Sequence, residues 1–166
     1  MKHVFLINPR AGNRDRTDRL RRLAGHLAAA HGLEVECLLT DRPGAAEPLA
    51  RALTETGEPV RIYVCGGDGT VHEAANGIAG YENAAMTVIP AGTGNDFLKN
   101  FGPDAAKFSD AENLWDGPDS PWISSTATAA CASPSPAPAS TPASPTASTG
   151  TGACSPAGGA ICCRWR

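Results

Sequence analysis

Gly66-Gly67-Asp68-Gly69-Thr70 is a cluster suited to phosphate chemistry, lying directly after the β-rich run RIYVC and directly before a helical stretch. Paired glycines let backbone approach a ligand with no Cβ in the way. The start of the helix behind them offers unpaired N–H groups and about half a positive charge. Asp68 is not there to bind phosphate, since two anions repel; it suits a metal ion, a water or a sugar hydroxyl. The plain alternative is a strand-to-helix turn in which Asp68 or Thr70 caps the helix. Val71, His72 and Glu73 continue into that helix. Glu73 either orients Asp68 or a ribose, or complements the helix N-terminus.

A second cluster, Pro90-Ala91-Gly92-Thr93-Gly94-Asn95-Asp96-Phe97, repeats the strand-turn-helix arrangement. Gly92 and Gly94 bracket Thr93, whose hydroxyl and N–H can donate to the same phosphate from the opposite side. Asn95 and Asp96 are candidate caps of the next helix, and for Asn95 ligand contact stands equally open. A third cluster, Asn8-Pro9-Arg10-Ala11-Gly12, closes the first apolar run. It either reaches a nucleotide with Asn8 and the Gly12 backbone, or is only a turn.

Positioning such turns is work for alternating strands and helices, and residues 1–100 alternate in that way. Strands are expected at 2–8, 33–39, 60–65 and 86–90. Between them, helices are expected at 14–31, with Leu20, Leu23, Ala24 and Leu27 on one face, then at 43–56 and 70–78, with a short one at 95–100. The pattern predicts an α/β fold, a Rossmann-like parallel sheet with helices on both faces. All three clusters then fall at the C-terminal ends of strands, where open α/β sheets bind their ligands. Thr40 ends the second strand in the same position, and residues 104–118 read as a connection.

NPRAG at 8–12, GGDGTVHEAANG at 66–77 and PAGTGNDF at 90–97 together resemble the catalytic-domain motifs of the diacylglycerol kinase family, including the bacterial lipid kinases. More distantly they resemble those of NAD kinases, which share a GGDGT turn but fit NPRAG and GTGNDF less well. The resemblance covers residues 1 to about 117. It implies ATP bound between the motifs, Mg²⁺ as cofactor, and transfer of the γ-phosphoryl group to a lipid hydroxyl, that of diacylglycerol by default and of a sphingoid base next. It maps nucleotide contacts onto Asn8, Pro9, Arg10, Ala11 and Gly12, onto Thr40, onto Gly67, Asp68, Gly69, Thr70, Val71, His72 and Glu73, and onto Thr93; the glycine turns themselves add Gly66, Gly92, Gly94 and Asn95 as candidate nucleotide contacts. Asp68 is the candidate catalytic residue. His72 stands where the resemblance leads one to expect asparagine, which weakens a side-chain contact there but leaves the backbone cradle.

Phosphoryl transfer also needs metal-binding carboxylates and a base beside the acceptor. In the resembled family these, and the lipid pocket, belong largely to a second, β-rich domain. Here the chain of 166 residues divides sharply instead. All 17 acidic residues and 12 of the 14 Lys and Arg lie in 1–120, for a net charge of −5, whereas residues 121–166 contain no Asp, Glu, Lys or His. Of those 46 residues, 36 are Ala, Ser, Pro, Thr or Gly. Residues 118–166 are therefore expected to be a low-complexity, disordered tail.

Apart from the AGY serine codons, the codons of Ala, Ser, Pro and Thr carry C in the middle, so reading one base earlier gives codons ending in C, as in the true frame of a GC-rich gene. The same shift turns Trp122-Ile123 into Asp whatever the third base. The expectation is an out-of-frame tail on a truncated, inactive kinase; a genuine flexible linker and a non-catalytic nucleotide-binding fragment are the alternatives.

No apolar run approaches the ~20 residues that span a bilayer, no signal-type segment follows Lys2-His3, and the six cysteines form no CxxC pair, all of which suits a reducing cytoplasm. Six arginines between Arg10 and Arg22 suit anionic lipid head groups at the inner face of the membrane, or simply form a solvated helix face. A net acidic globular part with no aromatics among the arginines argues against nucleic acid.

Overall fold

The structure is a computed structural model that describes residues 1–109, 114–115 and, for the backbone alone, 119–121 and 162–164. Strand β1 (Lys2–Ile7) leads to α1 (Thr17–His31), β2 (Val35–Leu39), α2 (Ala46–Glu55), β3 (Val60–Gly66), α3 (Asp68–Ile78), β4 (Ala84–Pro90) and the single turn α4 (Asp96–Lys99). The four strands are parallel in the order β2-β1-β3-β4, with Phe5 opposite both Cys37 and Tyr63, and Tyr63 opposite Thr87. The α/β reading therefore holds. Strands covered on both faces become near-continuous apolar runs, and Val4 to Ile7 are all buried.

The chain steps from β1 outward to β2, then crosses back over β1 to β3. Right-handed crossovers consequently put α1 on one face and α2 with α3 on the other. On the second face the helices nearly touch: a Cβ at Gly77 would stand 2.4 Å from the Glu47 carbonyl oxygen and 2.8 Å from the Ala50 Cβ. A helix-interior glycine normally costs about 1 kcal/mol, and this close approach is why one is present. The α1 face differs. His3 Nδ1 lies 2.8 Å from the Tyr63 hydroxyl, and Phe5 stacks on Tyr63 with ring centroids 4.6 Å apart. The buried Arg61 guanidinium donates to the carbonyls of Leu114 and Trp115, and Trp115 stacks on His31 at the end of α1.

Several boundaries depart from expectation for local reasons. Helix α1 begins at Thr17 rather than 14, because Asp15 Oδ1 accepts the Thr17 N–H at 2.8 Å and turns the chain into the helix. The Thr17 hydroxyl first, and then this N–H, hold the Asp15 carboxyl below its ordinary range. Helix α2 begins at Ala46 rather than 43, since Gly44 adopts a left-handed conformation (φ +82°). Its buried stripe is Ala46, Ala50 and Thr54, with Leu49 and Leu53 only partly covered, because the close contact with α3 favours small side chains.

Gly102–Ser109, which overlaps the start of the connection expected at 104–118, forms a 3-10 helix that buries Phe108. Two further strands, β5 (Asp119–Pro121) and β6 (Cys162–Arg164), are an addition to that reading. β6 runs antiparallel to β4 and β5 runs parallel to β6. Apart from these two short strands, the expected disordered tail lies outside the described residues. No helix among the described residues is long and apolar enough to cross a membrane.

Candidate functional site

All four parallel strands end at the same edge. Between β1 and β3 the chain departs in opposite directions, leaving a crevice of the kind in which doubly wound sheets hold ligands. The crevice has a volume of about 440 Å³. Its lining comes from Asn8 and Arg10–Gly12 after β1, Thr40–Pro43 after β2, Gly67–Thr70 with Glu73 after β3, and Gly92–Gly94 after β4.

The turns are keyed into one another at glycines. Gly12 is left-handed (φ +76°), and a Cβ there would stand 2.2 Å from the Ala91 carbonyl oxygen. A Cβ on Gly92 would meet the Gly67 Cα at 2.6 Å, and one on Gly94 would meet Asp68 Oδ2 at 2.9 Å. Three chain segments thus approach at backbone distance, which no other residue type permits.

Side chains fix the same turns. Asn8 donates through Nδ2 to the Thr70 hydroxyl at 2.9 Å, while its Oδ1 accepts the Arg10 N–H at 2.9 Å. Asp68 Oδ1 accepts the Phe97 N–H at 3.1 Å. Asp68 therefore does act at a helix start, but at that of α4 across the cleft rather than its own. Helix α3 has no side-chain cap. The N–H groups of Gly69 and Thr70 are left at the cleft without helical partners, and the dipole behind them favours an anion. Glu73 lines the cleft with both oxygens engaged: Oε1 accepts Gly44 N–H at 2.9 Å and Oε2 accepts Ala46 N–H at 3.2 Å. At the rim, Arg42 pairs with Asp41 at 3.1 Å, and the exposed Arg10 guanidinium has no partner among the described residues.

Most residues singled out from sequence converge here, and five do not line the cleft. Pro9 belongs to the turn without facing it. Gly66 is the last residue of β3, and a Cβ there would stand 2.6 Å from the Thr70 Cβ, so its glycine serves strand-to-helix packing. Val71 is buried in the core with its N–H donated to the Gly67 carbonyl. His72 Nε2 lies 3.2 Å from Asn76 Nδ2 along the outside of α3. Asn95 is left-handed (φ 50°) and donates to the Gly92 carbonyl at 2.9 Å. It shapes the turn, and its side chain makes no cap to α4.

Sequence reasoning stopped at Thr40 and missed Asp41, Arg42 and Pro43, although a charged turn following the strand beside β1 is itself a signal for the rim of such a crevice. Among the described residues no three His, Cys, Asp or Glu converge as a metal cage. Asp68 alone, beside two phosphate-sized turns, fits a hard cation carried mainly by phosphate oxygens and water, as Mg²⁺ commonly is.

The sequence profile of the diacylglycerol kinase catalytic domain matches residues 2–119. A relative named "Putative lipid kinase YtlR", from Bacillus subtilis (strain 168), is 38% identical over 104 residues, which are 61% of this chain and 33% of the relative. The solved structure of a diacylglycerol kinase from Bacillus anthracis str. Sterne superposes with a TM-score of 0.51 at 35% identity, over 61% of this chain and 36% of that one. The matched region thus spans about a third of the length of either protein.

Proposed function

The chain belongs to the diacylglycerol kinase catalytic-domain family, and we propose that residues 1–117 are the ATP-binding half of a kinase that phosphorylates a lipid hydroxyl, such as that of diacylglycerol. The observation that carries this reading is the backbone contact of three glycine turns around one crevice, with Gly12 against Ala91 and Gly92 against Gly67. Such a cradle suits the phosphates of a nucleotide, and the N–H groups of Gly69 and Thr70 face the same space. In this reading Asn8 holds the Thr70 hydroxyl in place and Arg10 neutralises phosphate charge. The turn at Thr40–Pro43 borders the nucleoside. Asp68 is the residue to hold Mg²⁺, which when bound supplies charge neutralisation for phosphoryl transfer.

Residues 118–166 take the place of a β-rich lipid-binding domain and originate from an out-of-frame reading. Residues 121–166 hold no Asp, Glu, Lys or His, so they offer neither a base nor a metal-binding carboxylate for the transfer. The arginines at 14–22, outside the cleft, give the cytoplasmic kinase a contact with anionic lipid at the inner face of the membrane.

Calorimetric titration with ATP–Mg²⁺ tests the reading. Residues 1–166 should bind, Asp68→Ala and Gly92→Val should bind at least about tenfold more weakly, and diacylglycerol should be phosphorylated only by a version with the frame restored. Absence of binding to the unaltered chain would overturn the nucleotide assignment. A parent gene with no downstream frame encoding a second domain would end the proposal for the tail.

A further inference from the structure

Helix α2 has no cap of its own. Ala45, in the capping position, offers no side-chain acceptor, and Gly44 before it is left-handed. The acceptors come instead from α3, where the two oxygens of Glu73 take the N–H groups of Gly44 and Ala46. A carboxylate so placed also complements the positive end of α2. Directly ahead of Gly44 lie Asp41, Arg42 and Pro43, the part of the cleft lining that comes from the loop after β2. One turn ahead of Glu73 on its own helix lie Gly69 and Thr70, at the phosphate end.

We infer that Glu73 is a positioning residue, which sets the wall at Asp41–Pro43 at a fixed distance from the phosphate cradle by capping α2 from α3, rather than a contact to the nucleotide. The contact between Gly77 and Glu47 fixes the helices further along their length, and Glu73 fixes them at the end that faces the ligand. Its predicted effect on affinity rests on the nucleotide reading above; its effect on the empty protein does not.

The test compares the whole chain with Glu73→Gln and Glu73→Ala by amide hydrogen exchange without nucleotide, then by titration with ATP–Mg²⁺ and with tripolyphosphate–Mg²⁺. Glutamine keeps one acceptor oxygen but turns an NH₂ toward a backbone N–H, so it should be intermediate. Exchange at Gly44 and Ala46 should rise about tenfold in the glutamine variant and further in the alanine variant, while β3 amides stay protected and report an intact fold. ATP should weaken in the same order and tripolyphosphate should not.

Unchanged exchange at Gly44 and Ala46 with weakened ATP binding would overturn the inference in favour of direct contact. Equal weakening of ATP and tripolyphosphate would overturn it as well, by placing the effect at the phosphate end. If the unaltered chain binds no ATP, the nucleotide reading falls, and the exchange data still decide whether Glu73 holds the turn.

Discussion

On the face of the sheet covered by α2 and α3, small residues let helices meet almost backbone to backbone, with Ala46, Ala50 and Ala74 fully buried around Gly77. On the face covered by α1, His3, Tyr63 and Arg61 stand inside the protein; His3 and Tyr63 meet each other, and the Arg61 Nη1 meets backbone carbonyls. The difference follows from what each face holds in place. The first carries both Glu73 and the turn that it caps, so an error in helix spacing reaches the cleft directly. The second holds its polar side chains through bonds such as those of His3 with Tyr63 and of Arg61 with the chain at 114–115, which Arg61 anchors.

The sharpest way to break this comparison is Gly77→Leu. A side chain there collides with the Glu47 carbonyl, and a loss of about 3 kcal/mol in urea unfolding is expected, with weaker ATP binding as α2 shifts. A loss below about 1 kcal/mol would mean that the α2–α3 face is looser than its geometry. Next comes Arg61→Met on the other face. The carbonyls of buried Leu114 and part-buried Trp115 lose their donor, so stability should drop by about 2 kcal/mol and trypsin should cut sooner after Lys107, with ATP affinity unchanged. An accompanying loss of affinity would show that the two faces are not separable.

Gly25→Ala provides the contrast to Gly77, because a Cβ at this α1 position meets nothing within 4 Å. Here the helix should gain about 0.5–1 kcal/mol, read as a higher urea midpoint. The smallest effect is a pH slope. Burial, then the charge of Arg61, lowers the His3 pKa from its ordinary value near 6.5. The unfolded chain therefore binds the proton first, so stability is complete above about pH 6.5 and declines as pH falls below it. His3→Gln should flatten that part of the profile, and Arg61→Met should make it shallower; an unchanged slope in both would remove His3 as its source.

The strands and glycine turns were legible in the sequence because their causes are local. The run VFLI is apolar throughout as a doubly covered strand must be, and GGDGT and AGTGN each sit between a strand and a helix. What could not be read depends on partners distant in the chain. Gly77 is required by residues 47 and 50, Glu73 is occupied by residues 44 and 46, and Arg61 is matched by carbonyls more than 50 residues further on. Val71 and His72 show the same limit within a single helix. They follow the turn in sequence, but the helical rotation carries one into the core and the other to the outer surface.

Gly12 under the Ala91 carbonyl, and Gly92 over Gly67, also decide what can be transplanted from this protein. No single turn has its shape alone, since each is held by backbone belonging to another. A graft of GGDGT onto a foreign parallel sheet would inherit the letters of the motif without its concavity. The smallest portable unit is the trio of loops after β1, β3 and β4, moved together with the strand spacing that brings them into register.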